Sequence, residues 1–224
     1  MLSPPFLFAD YQLCSAFVGV YENAMYRILS PLKSLALVFL FLLGVASEAK
    51  AMSEEQLIDV YSHAYDASGK LSKGDFRMIA KFELLQADWN AALTPMVRGL
   101  REPGMVPEEW ARSARRYLNE AEMIKVKMGV AAAQVEDSSA RSIVRQIADI
   151  NSQMFVAWED VRQAMANGDN DAYRRAGMRA QGLAQEKAAV AGPVLRRLRE
   201  KVGDKAVDGA LERELRELAR KVGN

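Results

Sequence analysis

From Trp110 to Val135 the apolar side chains Trp110, Ala114, Tyr117, Ala121, Ile124, Met128, Ala131 and Val135 recur at alternating steps of four and three, without a miss. Ile143, Ile147, Ile150, Met154, Ala157, Val161, Ala164 and Gly168 repeat the same rhythm. Only a helix of 3.6 residues per turn stacks such positions on one side, and an amphipathic helix this long must bury its stripe against others. The two stripes are out of register, because no run of three- and four-residue steps joins Val135 to Ile143 without landing on Ser138, Ser139 or Ser142. A turn is therefore expected near 136–139, where Glu136, Asp137 and the serines can satisfy the free amides of a new helix.

The same reading extends both ways. Met78, Phe82, Leu85, Trp89, Ala92 and Met96 define an earlier long helix, bent by Pro95 in its last turns and ended by Arg101-Glu102-Pro103-Gly104 and Pro107. Asn167-Gly168-Asp169-Asn170-Asp171 is a stop and restart, since glycine accepts the left-handed turn and the Asx side chains cap a new helix. That helix carries Tyr173, Ala176, Ala180 and Leu183, with a kink or restart expected at Gly192-Pro193. Long helices near 74–100, 107–135, 139–167 and 171–202 point to an all-α fold, an up-down-up-down four-helix bundle. A short helix from Leu57 to about Tyr65 leads it, opened by the capping box Ser53-Glu54-Glu55-Gln56. A C-terminal amphipathic helix trails it after Gly203-Asp204, with Val207, Leu211, Leu215, Leu218 and Val222 on one stripe.

Ahead of these helices stands a segment of another kind. Leu35 to Ala46 reads LALVFLFLLGVA, twelve residues without a charge, preceded by Arg27 and Lys33. At about 1.5 Å per residue it spans roughly 18 Å, too short for a hydrocarbon core of roughly 30 Å, but suited to a signal peptide. Small residues at Ser47/Ala49 and Ala49/Ala51 permit cleavage after Ala49 or, preferably, Ala51. A start at Met1 would leave a long lead carrying Asp10 and Glu22. Met25 gives the short basic lead MYRILSPLK. The expected organisation is thus a mis-set start over 1–24, a signal peptide over 25–51 and one helical domain over 52–224, exported to the periplasm or the extracellular space.

Composition narrows the chemistry. Thirty basic and twenty-nine acidic residues leave a net charge of +1, which gives no general attraction to nucleic acid. The single cysteine, Cys14, precedes the expected mature chain, and Leu13 before it argues against a lipid anchor. No phosphate loop, nucleophile elbow, paired-histidine zinc motif or haem-attachment motif occurs. His63 shares a helical stripe with Glu55 and Asp59 and could join a metal set, although a solvated face explains the same spacing. The stretch from Asp66 to Phe76 superficially resembles an EF-hand loop. It lacks two residues at the third carboxylate and turn glycine, and Asp75 stands where a glutamate is usual, so Ser72 capping the next helix is the simpler reading.

Methionines such as Met78, Met96, Met128 and Met154 fall on core stripes. Trp89, Trp110, Tyr117 and Trp158 are core positions that could also wall a pocket. From Arg174 to the end thirteen basic residues face seven acidic ones, which suggests a basic last helix able to touch an acidic partner or anionic lipid. Together these features predict an exported, non-enzymatic interaction module: an adaptor, chaperone-like or sensory component with a protein partner, or a homo-oligomer. Membrane contact is expected only through the signal segment or that last helix, and no catalytic residue, cofactor or metal site is nominated. The alternative is a bundle holding a small molecule, haem or metal ion between its helices, with His63 as the one histidine available.

Overall fold

The computed structural model describes residues 52–203 and 216. The leading segments 1–24 and 25–51 and the terminal amphipathic helix, Arg216 excepted, lie outside the described residues. Five helices are described: α1 (Glu54–Ala64), α2 (Lys73–Gly99), α3 (Pro107–Ala133), α4 (Ser138–Asn167) and α5 (Asn170–Val202). No strand occurs among the described residues, and none of their helices is long and apolar enough to cross a membrane.

The boundaries follow local chemistry. Ser53 and Gln56 form the reciprocal capping box of α1, with Ser53 Oγ accepting from the Gln56 amide at 3.2 Å and Gln56 Oε1 from the Ser53 amide at 2.8 Å. Ser72, Asp137 and Asp169 cap α2, α4 and α5 in the same manner, each through its side-chain oxygen. Gly168 ends α4 in the left-handed region at φ 66°, where a β-carbon would be strained. Pro107 opens α3 at a position whose amide has no intrahelical partner.

Of the kink or restart expected at Gly192-Pro193, the restart does not occur, for α5 runs through it to Val202. Pro193 and Ala189 are both exposed, on a side of the helix where a carbonyl that loses its partner can be hydrated. Pro95 in α2 is tolerated alike, with Ala91 exposed one turn before it.

Each long helix packs along the next, α2 on α3, α3 on α4 and α4 on α5, while α4 also touches α2. Helix α1 lies against α5 and, more lightly, α2. It bridges two helices that have no comparable direct packing among the described residues. Trp89, Trp110, Trp158, Phe82, Met96, Met128 and Met154 fill the core as expected, joined by Phe76, while Met78 and Leu85 on the same stripe as Phe82 are only partly buried. The α3 stripe is interrupted, however: Tyr117 and Ile124 are only partly buried, because they border a surface groove. Met123 and Met178, off the stripes, are exposed.

The basic excess also sits elsewhere than expected. Eight of the thirteen basic residues and only two of the seven acidic ones belong to α5, which leaves 204–224 with five of each. The last helix is therefore not basic by itself, and α5 is the basic one, with Arg179 facing Asp160 of α4 at 3.7 Å.

One polar contact at the foot of the structure was hidden from sequence. Asp75, buried, accepts hydrogen bonds from the Glu136 amide at 2.5 Å and the Asp137 amide at 3.3 Å, while Ser72 Oγ donates to its other oxygen at 2.9 Å. A carboxylate from α2 thus caps the turn between α3 and α4, and its negative charge suits the N-terminus of α4. Asp75→Ala removes a buried carboxylate that holds the Glu136 and Asp137 amides and should lower unfolding free energy by about 2 kcal/mol, against about 1 kcal/mol for Asp169→Ala at an exposed cap. Urea denaturation of both variants checks the ranking.

Candidate functional site

Two places combine unusual side chains with geometry. The first is a seam where α1, α2 and α5 meet. Lys187 of α5 is only 8 % exposed, on the stripe Ala176, Ala180, Leu183 that otherwise carries apolar residues. Glu83 of α2 shares its surroundings, and the hydroxyl of Tyr65, which caps the C-terminus of α1, donates to Glu83 Oε1. Tyr61 stacks on Tyr65 at 6.3 Å between ring centroids and meets Phe76 edge-on at 5.5 Å.

Burial sets the proton affinities here. It drives the Lys187 ammonium down to about 7, against the pull of the Glu83 carboxylate, which favours the charged amine. Burial likewise raises the Glu83 carboxyl, opposed by the Tyr65 hydrogen bond and by Lys187. The hydroxyls of Tyr61 and Tyr65 are pushed well above their ordinary range, by burial first and by Glu83 next. Near neutral pH the seam therefore holds an amine poised between two protonation states. Arg197 pins the same region from outside, pairing with Asp66 and donating to the Ala64 carbonyl at 3.3 Å.

The second place is the groove between α2 and α3, about 420 Å³, lined by Ala91, Ala92 and Pro95 on one side and by Tyr117, Met123 and Ile124 on the other, with Asp88, Glu120 and Lys127 among its lining. It opens onto an apolar ridge of α3: Met123, Val126 and Val130, spaced three and four apart, are 61 %, 59 % and 53 % exposed. No apolar stripe in the sequence marks these three, because the inward stripe of α3 dominates the pattern.

A third feature is internal. Asn151, fully buried, donates through Nδ2 to Gln86 Oε1 at 2.7 Å, and Gln86 Nε2 donates to Asn90 Oδ1 at 3.2 Å. The acceptor Asn151 Oδ1 and the donor Trp89 Nε1 are buried without a hydrogen-bond partner.

The residues singled out from sequence scatter. Glu55, Asp59 and His63 lie exposed along the outer face of α1, and no set of three potential ligands gathers among the described residues. Asp66 and Asp75 of the loop that resembles an EF-hand point to separate tasks, an ion pair with Arg197 and a cap on the α3–α4 turn. Trp89, Trp110 and Trp158 are core, Trp110 Nε1 donating to the Met96 carbonyl at 2.9 Å, and Tyr117 alone reaches the groove. Compared with protein-family models, curated proteins and solved structures, the chain matches none.

The seam makes stability depend on pH in a defined window. Between pH 7 and the ordinary lysine value of 10.5 the unfolded chain holds a proton that folded Lys187 has released, so stability rises with pH there. Glu83, raised above its ordinary 4.5, acts oppositely and earlier: its contribution is present below 4.5 and is lost as pH rises through its folded value. The tyrosines titrate above pH 10. Unfolding free energy should therefore climb by about 1–3 kcal/mol from pH 7 to 9.5 in the native chain and stay flat in Glu83→Gln/Lys187→Met, as read by denaturant midpoints at each pH.

Proposed function

We propose that the chain is an exported, non-enzymatic helical module, in which α2 to α5 run alternately up and down as a four-helix bundle, and that it works by binding another protein. The observation that carries this reading is the α3 ridge Met123–Val126–Val130 beside the α2–α3 groove. Scattered surface leucines or valines are ordinary, but three aligned apolar residues beside a groove of mixed apolar and charged lining form a patch of the type that marks interaction sites. A helical ridge flanked by a groove suits an amphipathic helix, whose apolar face lies against both while charged residues meet the rim. Asp88, Glu120 and Lys127 supply that rim.

Export rests on the twelve-residue apolar tract and the small residues after it. N-terminal sequencing of the protein from the outer fraction should begin at Met52; an intact tract in the cytosol would overturn this part. Val126→Asp/Val130→Asp, at exposed positions, should change unfolding free energy by less than about 0.5 kcal/mol. The same pair should abolish co-purification of any protein crosslinked in vivo through a photoreactive residue at Met123. Retained co-purification with the double variant would remove α3 from the reading.

A ligand between the helices is the second reading, and Asn151 Oδ1 and Trp89 Nε1 favour it, a buried acceptor and a buried donor each without a hydrogen-bond partner. Native mass spectrometry of the purified protein decides it, since a folded chain at its bare mass leaves no ligand to discuss.

A further inference from the structure

The outward face of α3 changes character along its length. At about 100° per residue Arg112, Arg115, Met123, Val126, Val130 and Ala133 fall in one sector about 80° wide, and all six are exposed. Its first part is basic: Arg112, Arg115 and Arg116 stand there, and no acidic residue occurs from 110 to 119. The middle is the apolar ridge Met123, Val126, Val130. Past it the sign reverses, with Glu136 and Asp137 at the turn into α4 and no basic residue from 128 to 140.

A face that is positive at one end, apolar in the middle and negative at the other is complementary to its own reverse. Arg116 stands ten residues before Val126 and Glu136 ten residues after it, and both are exposed. At about 1.5 Å per residue each lies roughly 15 Å from Val126 along the helix. Two copies of α3 set antiparallel about Val126 therefore bring each Arg116 level with the other copy's Glu136, and each Met123 against the other copy's Val130.

The lateral placement agrees with the axial one. Arg116 falls toward the side of Glu120 and Lys127, which line the α2–α3 groove. The Glu136 amide is bonded to Asp75 of α2. Both charges thus lie on the α2 side of the ridge, and a two-fold axis across an antiparallel pair sets like sides opposite one another. A parallel pairing would stack arginine on arginine instead.

We propose that the partner of the α3 ridge is a second copy of this chain, docked antiparallel through Met123, Val126 and Val130, with two Arg116–Glu136 pairs closing the ends. This rests on the reading of the ridge as a binding surface and names its occupant. Apolar burial supplies the attraction, while the end charges select the antiparallel arrangement over the parallel one.

Sedimentation equilibrium of the protein as purified from the producing cells tests it. The native chain is expected to be a dimer and Val126→Asp/Val130→Asp a monomer. Arg116→Glu and Glu136→Arg should each weaken self-association by about tenfold or more, because in a two-fold contact each sets like charges together at both ends. Mixing those two variants should restore the dimer, since each supplies the sign the other has lost; a variant that had failed to fold would not be rescued in this way. A monomeric native chain, a dimer that survives Val126→Asp/Val130→Asp, or a mixture that stays monomeric would overturn the proposal. A monomeric native chain that captures a different protein at Met123 would sink the second copy alone, whereas a monomer that captures nothing there would sink the binding reading as well.

Discussion

Helix α4 has to be dry on more than one side. It packs against α3 and α5 along its length and touches α2, and its buried residues, from Ala140 and Val144 through Ile147, Ile150, Met154, Trp158 and Val161 to Met165, occupy more of its circumference than a surface helix can cover. A helix with so wide an apolar face is stable only when neighbours flank it on both sides. The short connections at 134–137 and 168–169 supply those neighbours from the adjacent sequence, so the core assembles from local pairings. Alanines on the stripes, Ala114, Ala121, Ala131, Ala140, Ala157 and Ala180, let the backbones approach while the tryptophans fill the wider layers.

Polar groups inside that core act as register marks. Asp75 accepts amides from the α3–α4 turn, and Asn151 reaches Gln86 across the interior. Sliding α2 by one turn against α3 and α4 would leave a buried carboxylate and a buried amide unpaired, a cost that apolar stripes at repeating steps cannot impose by themselves. The Glu83–Lys187 seam does the same for α1, α2 and α5, with the difference that burial leaves its amine close to neutral. That seam gains order from Tyr61 of α1 and from Tyr65, the residue that caps its C-terminus. Docking of α1 and the proton affinities of the seam are consequently one event.

The helices were legible because their information is local. Steps of three and four, Ser53 and Gln56, Asp169 after Gly168: each states its meaning within one turn of chain, and the structure keeps them within a residue or two. Where the reading failed, the deciding neighbour was elsewhere. Pro193 does not break α5, since Ala189 before it faces water. Tyr117 and Ile124 sit on a perfect stripe yet stay partly open, because both border the groove that Ala91 and Pro95 line from α2. The seam did leave a trace, a lysine at a stripe position after Ala176, Ala180 and Leu183. Its partners Glu83 and Tyr65 lie on other helices, and no spacing along the chain connects them.

Helix α3 carries a cost that its own chain does not return. Val126 and Val130 are β-branched residues on a solvent-facing ridge, where lysine, glutamate or alanine would favour the helix more and lose less rotamer freedom. Met123 beside them leaves further apolar surface in water. Elsewhere the exposed faces follow the ordinary rule, with Arg77 and Lys81 on α2, Arg174, Arg175 and Arg196 on α5 and Glu55 and Asp59 on α1. Val106, Val156 and Met178 are also exposed, but singly, whereas Met123, Val126 and Val130 align at steps of three and four beside one groove. Burying that ridge against a complementary helix, as proposed, would remove its apolar surface from water and leave charges at the rim, offsetting the local disadvantage of α3.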